Sequence, residues 1–67
     1  MGTQSEILRA ASLLVEEYGE MAPAGAFLRA DMMHHRGDQP GRRVWLRVGH
    51  AAEALLADRA PTGTVLH

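Results

Sequence analysis

The chain contains four histidines, whose side chains change charge close to neutral pH, and their spacing limits the chemistry they can do. His34 and His35 are adjacent, and neighbouring side chains on a helix point about 100° apart, so the pair does not converge on one metal ion. His50 belongs to the next helical pattern, and His67 ends the chain. Both His34 and His35 precede Gly37 by less than a turn, which makes them cationic partners for the negative end of a helix. With no cysteine in the sequence, thiol catalysis, disulfides, zinc fingers and cysteine-ligated iron clusters are excluded. There is no Ser/His/Asp order and no glycine-rich phosphate loop, and the pairs Glu16-Glu17 and Met32-Met33 read as surface and packing. The expectation is a protein without catalysis, cofactor or metal.

The charged residues say more. All seven basic residues are arginine, against eight acidic ones, for a net charge of −1. That balance argues against a generic nucleic-acid or membrane-surface binder. The distribution is uneven, however: residues 1–31 sum to −3 and residues 32–50 to +3 with histidine neutral. Arg36, Arg42, Arg43 and Arg47 flank one turn between two helical patterns, the layout of a helix-turn-helix reading head, and are the candidate phosphate contacts. A DNA-reading motif has a shorter second helix than the pattern here, which favours a solvated basic end. No charged-then-apolar leader and no apolar run of about 18 residues occurs, so a cytoplasmic protein is expected.

Three helical patterns position these groups. Thr3-Gln4-Ser5-Glu6 is a capping box, and Ile7, Leu8, Ala11, Leu14, Val15 and Tyr18 follow on one face until Gly19. A second pattern begins between Glu20 and Pro23 and ends at Gly37. Asp38 is the N-cap of the third, with Pro40 in its first turn and Val44, Trp45, Val48, Ala52, Leu55 and Leu56 recurring at helical spacing. Pro61 marks a point that this helix cannot pass. With connections this short, the sequence predicts an all-α, compact three-helix up-down-up bundle with helices near 3–18, 21–36 and 39–59. Residues 1–67 would form one domain with a short flexible tail from about 60, where Val65 and Leu66 pack back or fray. Trp45 shares its phase with Val48, Ala52 and Leu56, so a core role is expected ahead of an exposed binding platform.

Tyr18-Gly19-x-x-Ala22, Arg29-Ala30-Asp31, Gly37-Asp38-x-x-Gly41, Trp45 and Ala52-x-x-Leu55 together resemble a family of very short, uncharacterised helical proteins from alphaproteobacteria. The resemblance covers about residues 3–58 and rests mostly on caps, turns and core positions. It implies the helix boundaries above and no activity. The Pro40 turn and the His34-His35 pair depart from it.

The second helix is the informative one, because it has two apolar stripes where a bundle helix needs one. Ala22, Ala26, Phe27, Ala30 and Met33 form the first, and Met21, Leu28 and Met32 the second. Gly25 lies between Met21 and Leu28 at the spacing of an a/d seam, which admits another helix closely. Leu13 and Leu46 also face away from the core stripes of their helices. Either the first and third helices cover both sides of the second, or Leu13, Met21, Leu28, Met32 and Leu46 form a protein interface. The expected function is thus a small, self-associating protein–protein interaction module, with a homodimer as the partner state. The alternatives are a nucleic-acid-binding regulator using the arginine segment, or a mobile-element-encoded inhibitor of a host enzyme.

Overall fold

A computed structural model describes residues 3–59, all helical apart from the N-cap and one turn. Helix α1 spans Gln4–Tyr18, a single 3-10 turn spans Gly19–Met21, α2 spans Ala22–His35 and α3 spans Gln39–Arg59. The three boundaries fall within a residue or so of those read from the caps. The expected tail from about 60, with Pro61, Val65, Leu66 and His67, lies outside the described residues.

Each boundary has a local cause. Thr3 and Glu6 close the capping box reciprocally: the Glu6 N–H donates to Thr3 Oγ1 at 3.2 Å, and the Thr3 N–H donates to Glu6 Oε1 at 3.3 Å. Gly19 ends α1 at φ 58°, ψ −130°, a conformation closed to residues with a Cβ. Pro23 sits in the first turn of α2, where its missing N–H has no intrahelical partner to lose. At the other end of α2, Gly37 takes φ 79°, and the N–H groups of Gly37 and Asp38 donate to the carbonyls of His34 and Met33. Asp38 then caps α3, its Oδ1 accepting from the Gly41 N–H at 2.9 Å.

The all-α class holds among the described residues, but the three-helix up-down-up bundle does not form. No loop residue separates α1 from α2, so residues 4–35 make one bent helical arm and α3 makes a second. Contact between α1 and α2 is slight; both pack on α3, and α2 does so most extensively. The physical reason lies at Gly19: the chain bends there yet re-enters a helix within one turn, so α2 is directed along α3 rather than back along α1.

One core results, made of Ile7, Ala11, Leu14 and Val15 from α1, Ala22 and Ala26 from α2, and Val48 and Ala52 from α3. Val44, Trp45, Leu55 and Leu56 are half-buried against it. Most expected core positions are buried, and Phe27 and Leu55 partly so. Leu8 and Tyr18, placed on the core face by their phase, are corrections: both are exposed. Tyr18 is the last residue of α1, its φ widened to −115° just ahead of Gly19, where the helical phase ends.

Candidate functional site

Helix α2 docks on α3 through small residues. Ala22, Ala26 and Ala30 recur every four positions and are at most 2% exposed. Short side chains at a helix contact let the axes approach closely. Gly49 of α3 continues this close approach, for a Cβ built there would stand within 2.7 Å of Phe27 Cδ1 and Cζ. The Phe27 ring also meets His50 edge-on, with centroids 5.3 Å apart. Farther along, the Arg29 guanidinium lies 5.3 Å from the Trp45 ring centroid and donates to the Gly25 carbonyl at 3.3 Å. Trp45 is thus half-buried between the helices, as its phase requires.

Of the large apolar residues along α2 and the turn before it, Phe27 and Met33 are half-buried and the others are left outside. Met21, Leu28 and Met32 are 66%, 63% and 47% exposed. With Gly25 they stand at intervals of four, three and four residues along one face of the helix. Tyr18, Met21, Ala24, Gly25, Leu28 and Arg29 line an open groove of about 320 Å³. The groove takes in two of the five expected interface residues, Met21 and Leu28, and adds Tyr18, while Met32 continues the exposed row beyond it. Leu13 is exposed on α1 and does not line the groove, and Leu46 is half-buried.

Of the basic residues, Arg36 is exposed in the turn and Arg42 is half-buried. Arg43 and Arg47 are exposed one turn apart on α3, lining a second open groove with Asp38, Pro40, Gly41, Val44 and Trp45. An anion approaching this helix start meets a carboxylate already there, since Asp38 occupies the Gly41 N–H and carries the opposite charge. A Cβ on Gly41 would collide with that carboxylate, which fixes how closely the cap folds over the helix.

The histidines make local contacts. His35 Nδ1 lies 2.9 Å from the Asp31 carbonyl oxygen and 3.8 Å from Asp31 Oδ2. The His34 and His35 rings meet edge to face, 5.9 Å apart. His50 Nδ1 is 3.4 Å from Glu53 Oε1. No group of three metal-ligating side chains comes together among the described residues. The Thr3 backbone N–H, donating to its carboxylate, lowers the Glu6 pKa from its ordinary value. No described helix is long and apolar enough to cross a membrane.

Gly49 and the Arg29–Trp45 pair escaped the reading of the sequence. A signal existed for the first, a glycine in the interior of a 21-residue helix, where it is unfavourable unless something packs closely against it. Compared with protein-family models, with curated proteins and with solved structures, the chain gives no match.

Proposed function

We propose that this protein is a small protein–protein interaction module that self-associates through the outer face of α2. A single observation carries the reading: α2 fully buries alanines alone, and its Leu28 and Met32, with Met21 of the turn before it, are exposed. Burial of apolar surface is the main driving force of association, and Met21, Leu28 and Met32 stay outside the core while Phe27 and Met33 are half-buried. The intrinsic stability of so small a core points the same way, since below about 70 residues it seldom exceeds roughly 3–5 kcal/mol and self-association is one of the few remaining supports. The arginine segment is a weaker candidate for nucleic acid, because Asp38 already fills the start of α3.

Sedimentation of the full chain over a concentration series tests the proposal. The parent should be dimeric, and Leu28→Glu should shift it to monomer with its helical circular dichroism retained. A parent that stays monomeric at millimolar concentration refutes the reading. Retardation of a duplex or single strand at low salt, abolished by Arg42→Ala with Arg43→Ala, would favour the nucleic-acid alternative instead.

A further inference from the structure

The outer row of α2 is asymmetric along its length, and so is the charge around it, and these two facts together specify an orientation. Building on the self-association proposed above, we infer that the second copy lies antiparallel across α2, with the two-fold axis passing between Gly25 and Leu28.

The first argument is steric. The row reads Met21, Gly25, Leu28, Met32, so its two inner positions are one gap and one knob. A parallel pair would set Gly25 against Gly25, leaving a hollow between layers of larger side chains, and a void at an interface forfeits contacts on both walls. An antiparallel pair centred between these residues sets Leu28 of each copy against Gly25 of the other, and Met21 against Met32. Nothing on the outer side fills the place of a Gly25 Cβ; the nearest atom to it is Arg29 Nη1 at 3.5 Å. The gap is open to a partner.

The second argument is electrostatic. Glu16, Glu17 and Glu20 cluster where α1 meets α2 and are exposed, whereas Arg36, Arg42 and Arg43 cluster beyond the end of α2. The 14 residues of α2 hold these clusters about 21 Å apart, well over a Debye length at physiological salt. They cannot neutralise one another within a chain. No basic residue occupies the last turn of α1 to offset its acidic end, and at the start of α3 the Asp38 cap places one carboxylate beside Arg36, Arg42 and Arg43. Antiparallel pairing places each acidic end beside the basic end of the other copy, while parallel pairing stacks like upon like. Such complementarity selects orientation more than it adds affinity.

The absence of cysteine makes a clean test, because any disulfide reports only on introduced positions. In the antiparallel pair, Met21 lies about 8 Å along the helix from the axis, so its own copy is about 16 Å away and out of reach of a disulfide. Met32 stands equally far on the other side. The full chain is made as Met21→Cys, Met32→Cys and the double variant, each checked for helix content and for dimerisation by sedimentation, then oxidised under mild conditions. The single variants should remain uncrosslinked. The double variant should form a covalent dimer, and a mixture of the two single variants a covalent heterodimer, in both of which peptide mapping links position 21 to position 32 of the other chain. Within one chain those positions are too far apart to bridge. Self-crosslinking of each single variant would overturn the antiparallel orientation and leave self-association through α2 standing. A dimeric parent with no crosslink in any variant would place the contact elsewhere and overturn both readings, as would a monomeric parent.

Discussion

Helices α1 and α2 are nearly equal in length and use the same core, yet they differ in which side chains they bury fully. On α1 the larger apolar residues Ile7, Leu14 and Val15 are buried with Ala11, and Leu8, Leu13 and Tyr18 are exposed. On α2 the fully buried residues are Ala22, Ala26 and Ala30, Phe27 and Met33 are half-buried, and Leu28 and Met32 face outward with Met21 of the turn before it. An amphipathic helix such as α1 gains most of its stability from the stripe it buries. A helix docked by alanine gains proximity, letting Phe27 lie on Gly49 and Arg29 on Trp45, and leaves Leu28 and Met32 exposed. Under the proposed function, the difference separates a helix that serves stability from one that serves association.

The strongest way to break this comparison is truncation on each side of it. Leu14→Ala should cost about 2–5 kcal/mol, enough to unfold most of the population at the stability a core of this size supplies. Leu28→Ala, measured at concentrations too low for association, should stay within about 0.5 kcal/mol of the parent. Thermal melts followed by circular dichroism decide between them, and equal losses would show that the two helices do not differ in this way.

Filling the close contact comes next. Gly49→Ala gains helix propensity of about 1 kcal/mol but drives a methyl group into the Phe27 ring, an overpacking that costs about 1–3 kcal/mol. A net loss of stability is expected. Phe27→Leu in the same chain should make the second change cheaper than it is alone, and an additive double-mutant cycle would deny the contact.

Thr3→Ala should cost about 1 kcal/mol by opening the capping box of α1. Glu6 belongs to the same cap, and its lowered pKa means that it binds protons more weakly in the folded state than in the unfolded one. Its contribution to stability is therefore present above the ordinary glutamate value of about 4.3 and is lost as the pH falls through the lower folded value. Glu6→Gln should remove that part of the acid sensitivity, which a denaturant series between neutral and acid pH would reveal.

Gly25→Ala sharpens the comparison from the outer side. The new Cβ meets nothing closer than ordinary van der Waals contact, so the isolated chain should gain about 0.5–1 kcal/mol of stability while the dimer dissociates more readily. A variant both more stable and more strongly dimeric would contradict a gap filled by Leu28 of the partner. The smallest effect is that of the charged ends. Glu16→Arg with Glu17→Arg should weaken self-association roughly two- to five-fold at low ionic strength and hardly at all at high salt, and adding Arg42→Glu with Arg43→Glu should restore it. Without rescue, the poles do not meet across the dimer.

Much of this was legible in the residues because it is local. The capping box at Thr3, the positive φ at Gly19 and Gly37, the Asp38 cap and the phase of Ile7, Ala11, Leu14, Val48 and Ala52 each depend on a few neighbours along the chain, and each is where the spacing puts it. The double stripe of α2 was visible too, since period and residue type are properties of sequence. What only the tertiary structure decided was the direction each element takes and which surfaces then meet. A bend at Gly19 in place of a reversal gave α2 to α3, carried Tyr18 out of the core and into the groove, and brought Phe27 onto Gly49 and Arg29 onto Trp45. Those contacts join residues 16 to 22 positions apart, and the angle between two helices fixes them, a quantity that no periodicity along a single chain encodes.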